Sequence, residues 1–120
     1  MSDSLPTGPV WDLELALKGV DGCVTDLKEL LEIFLRQMPE LVSDIRSALQ
    51  NNEANKVHLA AHTLKGSLQI LCADAAEKMA ADLETAGKKG QVTNGSEMLR
   101  KLETELARVR EKSIEFLAMS

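Results

Sequence analysis

Apolar residues recur along this chain at intervals of three and four, with polar and charged residues between them. That spacing marks helices with one face turned inward, because side chains three and four positions apart lie on the same side. Leu27, Leu30, Leu31, Phe34, Met38, Leu41, Ile45 and Ala48 make the longest series. Thr25 is placed to cap its start. Pro39 is expected to bend that helix or divide it, since proline removes a backbone donor and crowds the preceding turn. Asn51-Asn52 then marks a turn into a helix from about Glu53 to Leu71, with Val57, Ala60, Ala61, Leu64, Leu68 and Leu71 on one stripe. Asp74, with Glu77 three residues on, has the form of a capping box for a helix carrying Ala76, Met79, Ala80 and Leu83. Gly87 to Gly90 is read as its close, with two lysines suited to the negative end of the helix dipole. The last series, Leu99, Leu102, Leu106, Val109 and Phe116, belongs to a helix starting near Asn94 to Ser96. Ahead of all these, Trp11 to Leu17 suits a short amphipathic helix ended by Gly19, with a turn at Asp21-Gly22.

Short links between helices of this length make antiparallel neighbours. The predicted architecture is therefore all-α: an antiparallel up-down four-helix bundle with a short additional N-terminal helix. Residues 1–10, with prolines at 6 and 9, are expected to form a flexible N-terminal arm, and residues 11–120 a single helical-bundle domain. The length of 120 residues suits one hydrophobic core and not two.

Composition narrows the possible functions. A net charge of -5 disfavours duplex nucleic acid or an anionic membrane as partner, because each needs a basic face. No apolar run approaches the length of a membrane span, and the N-terminus lacks the parts of a signal peptide, so a cytoplasmic protein is expected. Cys23 and Cys72 have neither metal-site spacing nor the density of a secreted scaffold, and are read as two reduced thiols.

The candidate chemistry lies at Ala61-His62-Thr63-Leu64-Lys65-Gly66-Ser67. At about 100° per residue, His62 falls nearly opposite the apolar stripe of its helix, with Gly66 beside it and His58 and Lys65 flanking. A glycine inside a helix costs about 1 kcal/mol relative to alanine. Here it bares the backbone one turn from an exposed imidazole. A metal held by His58 and His62 lacks a third and fourth ligand on the same stripe. Ser67 lies about 140° round the helix from His62, so the two cannot share a hydrogen bond there. No phosphate-binding loop or nucleotide fingerprint is present, so the chain has no visible ATP site. Imidazole itself as nucleophile remains. A neutral ring nitrogen attacking an acyl phosphate needs exposure, a nearby cation such as Lys65, and the clearance Gly66 provides. The wheel alone does not separate this reading from an ordinary surface histidine.

His62-Thr63-Leu64-Lys65-Gly66-Ser67 resembles the signature of the histidine phosphotransfer (HPt) domains of bacterial multistep phosphorelays, whose hallmark is His-x-x-Lys-Gly. Phe34 with the Met38-Pro39 step, Leu41 through Leu49, Ala61, and Leu83-Glu84 are similar to further family positions, so the resemblance covers most of the chain. It implies that His62 is the phosphoacceptor, that Lys65 lies near the phosphoryl group, and that Gly66 gives steric clearance. It also implies that Glu84 sits where a polar side chain contacts and orients the acceptor imidazole. The family's turn ten residues past the histidine commonly carries glycine; here it is Cys72, and the turn is expected to close differently.

By this resemblance the chain is a phosphocarrier of two-component signalling. It takes a phosphoryl group from a receiver-domain aspartate and passes it to a second receiver, as a covalent intermediate and not an enzyme with its own substrate pocket. No intrinsic cofactor is expected, and Mg2+ is expected on the partner receiver, because the chain has no carboxylate cluster for it. The expected partners are response-regulator receiver domains and a hybrid histidine kinase, met by a monomer. Two alternatives stand beside this reading: a phosphoacceptor domain of an ATP-dependent kinase, and an unphosphorylated helical adaptor that docks on receivers. For docking, Leu59 is expected to be exposed beside His62, with Leu17 and Val20 of the first helix extending the apolar patch.

Overall fold

The computed structural model describes residues 13–119, and side chains from Ala16 onward. The arm and Trp11 lie outside the described residues. Among the described residues five helices follow in order: α1 (Leu13–Gly19), α2 (Val24–Gln50), α3 (Ala54–Ile70), α4 (Asp74–Lys89) and α5 (Gly95–Met119). Helices α2 to α5 close into a ring, α2 on α3, α3 on α4, α4 on α5 and α5 back on α2, while α1 packs on α2. An Arg46–Glu103 ion pair ties α2 to α5 on the outside. Leu27, Leu31, Ile45, Val57, Leu64, Leu68, Leu83, Leu102 and Val109 are wholly enclosed in the core. The expected up-down bundle with a short leading helix is therefore what the chain forms.

The links are short because each helix end does two jobs. Ala73 donates its N–H to the Leu68 carbonyl, closing α3, and accepts from Glu77 N–H, opening α4. Glu53 works the same way between Ala48 and Val57. These closures require a left-handed residue one position earlier. Asp21, Asn52 and Cys72 supply it with φ of 54°, 54° and 58°, and Gly90 with 71°. The expectation of a different closure at Cys72 is thus corrected. A non-glycine residue there costs about 1–2 kcal/mol, and burial of Leu71 and Ala73 on either side offsets it.

Three other expectations change. Of the two outcomes expected at Pro39, division does not occur: helix α2 runs unbroken there, because Phe34, Met38, Val42 and Ile45, buried on both sides of it, hold one continuous face in the core. Its N-cap is Cys23, not Thr25, since the turn from α1 already delivers the Cys23 carbonyl to Leu27 N–H. Asp74 is the first residue of α4 and Ala73 its N-cap, so the capping box does not form. The close expected over Gly87 to Gly90 falls at Gly90, with Lys88 and Lys89 in the last turn and Gly87 inside α4.

Candidate functional site

Antiparallel packing of α3 on α4 brings His62 to Glu84, 22 residues later in the chain. Nδ1 of His62 lies 2.6 Å from Oε2 of Glu84, and Nζ of Lys65 lies 2.6 Å from Oε1. One carboxylate thus joins two residues that are neighbours on the α3 surface. The three differ in exposure in a useful order. Side-chain exposure is 63% for His62, 28% for Lys65 and 15% for Glu84. The ring is open to a partner while the group that orients it is largely covered.

Lys65 beside Glu84 holds its carboxyl below the ordinary value of 4.5, with a further push from His62 and against the opposing effect of burial. Glu84 is therefore ionised at neutral pH and only accepts hydrogen bonds. Nδ1 of His62 must then be the donor in their contact. In a neutral ring this leaves the lone pair on Nε2, the nitrogen away from Glu84. The arrangement is that of a nucleophile whose reactive atom is chosen by the partner of its other nitrogen.

Gly66 leaves open space: a Cβ built there meets nothing within 4 Å. Ser67 donates to the Thr63 carbonyl at 3.4 Å and not to His62. His58 turns its Nδ1 to the Glu84 backbone carbonyl at 3.2 Å, and its ring lies 6.3 Å from that of His62 in a stacked arrangement. Among the described residues, no group of three His, Cys, Asp or Glu side chains is placed to hold a metal ion. No described helix is long and apolar enough to cross a membrane.

The docking residues fall in different places. Leu59 is 55% exposed and lines a groove of about 510 Å³ between α2 and α3 with Leu41, Asp44, Ala48 and Thr63. Leu17 and Val20 are half-buried against the core where α2 begins, about 25 Å of helix away from that groove. The structure therefore does not join them to Leu59 in one patch. Two apolar residues not anticipated from sequence lie closer. Ile70 is 56% exposed and Ile33 is 42% exposed, and they border one shallow pocket with Phe34 and Ser67. The signal for Ile70 was available, since it falls about 80° from His62 on the wheel and off the core stripe.

A search of curated proteins finds no match to the chain. Among solved structures, the crystal structure of histidine-containing phosphotransfer protein B from Pseudomonas aeruginosa PAO1 is similar over 95% of this chain and 99% of that one, with a TM-score of 0.87 and 20% identity. That likeness speaks to the fold. The family model of the Hpt domain matches residues 29–112, which takes in α3, α4 and the whole His62–Glu84–Lys65 contact. The chain therefore belongs to the Hpt domain family, the phosphocarriers that work with receiver domains in phosphorelays.

Proposed function

We propose that His62 is the phosphoacceptor and that Nε2 is the atom that carries the phosphoryl group. The observation that supports this most is the 2.6 Å contact of Nδ1 with an ionised Glu84. In the forward step the Nε2 lone pair attacks the phosphorus of a receiver phosphoaspartate in line. The N–P bond forms as the acyl P–O bond breaks, and the aspartate leaves as carboxylate. Nδ1 keeps its proton throughout, and the positive charge that develops on the ring is met by Glu84. Lys65 faces the same corner and offsets charge on the transferring oxygens, while open space at Gly66 admits them. The step reversed onto a second receiver completes the relay. Mg2+ is supplied by the receiver in both directions.

On this reading the protein acts as a monomer in the cytoplasm, with no ATP site, drawing its phosphoryl group from the receiver of a hybrid histidine kinase. Incubation of the pure protein with a phosphorylated receiver is the test. Label that moves to His62 supports a carrier, whereas binding without transfer favours a docking adaptor. Label that arrives only with a kinase core and ATP favours the kinase-substrate alternative.

A further inference from the structure

Glu84 is held on α3 by more than its carboxylate. Its backbone carbonyl, already the acceptor of its own helix, lies 3.2 Å from Nδ1 of His58. A carbonyl has two lone pairs and only accepts, so His58 must donate from Nδ1. Three residues on, Gly87 is buried on the same face of α4. A Cβ there would stand 2.6 Å from the His58 backbone nitrogen, 2.8 Å from the Ala54 oxygen and 2.9 Å from the His58 Cα. Ala54 and His58 are four apart, so Gly87 lies directly over one backbone turn of α3. These neighbours are backbone atoms and cannot turn aside. Only glycine lets the two helices come this close, and the closeness is what brings the His58 ring within reach of the Glu84 carbonyl.

We infer that His58 and Gly87 are positioning residues: together they seat α4 on α3 so that the Glu84 carboxylate stays on Nδ1 of His62 and Nε2 remains the nucleophile. The inference rests on the proposed role of His62. His58 touches no reacting atom; it acts through Glu84. Neither residue follows from the His-x-x-Lys-Gly pattern, because the latch is made across two helices, one turn before the acceptor on α3 and one turn after Glu84 on α4.

The test uses the 15N-labelled full chain with three substitutions. His58→Phe keeps a ring beside His62 and drops the donor. His58→Asn restores an N–H near the position of Nδ1. Gly87→Ala pushes the helices apart through the backbone of α3 and leaves both histidine side chains unaltered. His62 tautomer is read from its ring 15N shifts, and phosphorylation is driven by phosphoramidate, which needs no receiver. Wild type is expected to hold His62 with the proton on Nδ1. His58→Phe and Gly87→Ala should move it toward the Nε2–H form and slow phosphorylation about 10-fold, the scale of a small misplacement at a reacting group. His58→Asn should recover both readings. Where the phenylalanine disturbs the fold, His58→Ala takes its place. An unchanged tautomer and rate in His58→Phe would overturn the inference, as would a loss that His58→Asn does not repair. If wild type takes no phosphoryl group at all, the acceptor assignment fails instead, while the tautomer comparison still decides the role of His58.

Discussion

His62 and Glu84 meet across two helices at 2.6 Å, with the exposed ring donating to the covered carboxylate. The polarity of that contact assigns the proton to Nδ1 and the lone pair to Nε2. Glu84→Ala should therefore slow phosphorylation of His62 by about 10-fold to 100-fold, as loss of a group that orients a reactive ligand does. Glu84→Gln, which still offers one acceptor oxygen, should lie between. Rapid-quench kinetics with a labelled phosphodonor measures this, and equal rates in all three proteins would refute it.

The same contact makes a prediction about acid. Glu84 in the folded protein titrates below 4.5, chiefly because of Lys65. A carboxyl lowered in this way contributes stability that is fully present above its unfolded value and is lost as pH falls through its folded value. Wild type should lose its advantage over Glu84→Gln as pH drops below about 4.5. Urea unfolding of both proteins across pH 3–7 checks this; a constant difference over the whole range contradicts it.

Two helix glycines should respond to alanine with opposite signs. An added Cβ at Gly66 meets nothing, so Gly66→Ala should gain up to about 1 kcal/mol from helix propensity. An added Cβ at Gly87 meets backbone at 2.6 Å, so Gly87→Ala should lose about 1–3 kcal/mol. Denaturant unfolding decides both. Gly66→Gln should fold normally yet transfer phosphoryl groups poorly, since its side chain fills the approach to His62.

These contrasts bear on what the sequence could and could not reveal. The helices were legible because burial at every third or fourth residue is a one-dimensional pattern. His62, Lys65 and Gly66 were legible because they lie within one helix, where the wheel gives their geometry. Glu84 was reached only through family resemblance, since nothing local relates it to a histidine 22 residues earlier. Gly87 was grouped with Gly90 at the close of α4, because glycine punctuates sequences in either of two ways. What separates them here is a backbone of α3 lying within 3 Å of where a Cβ would be. Cys72 was misread for a related reason: its left-handed turn is held by the burial of Leu71 and Ala73, a tertiary cause. The single patch expected from Leu59, Leu17 and Val20 depended on where α1 packs, which periodicity does not tell.

Docking should rest on the apolar residues that flank His62 on the open side of α3. Leu59 and Ile70 are both more than half exposed. Leu59→Asp and Ile70→Asp should each weaken receiver binding by about 1–3 kcal/mol if they sit centrally in the interface. The melting temperature should barely move, because exposed positions lose little on substitution. Titration calorimetry against a receiver reads the first and thermal unfolding the second. Unaltered affinity in both variants places the docking face elsewhere.

The identity of the acceptor residue is the claim on which the rest depends. The direct measurement is transfer of labelled phosphoryl from a phosphorylated receiver to wild type, His62→Gln and His58→Gln, with the acid and alkali stability of the product recorded. Wild type should take up acid-labile, alkali-stable label. His62→Gln should take up none, and His58→Gln should still be labelled, more slowly than wild type. Label on His62→Gln together with none on His58→Gln would contradict the account.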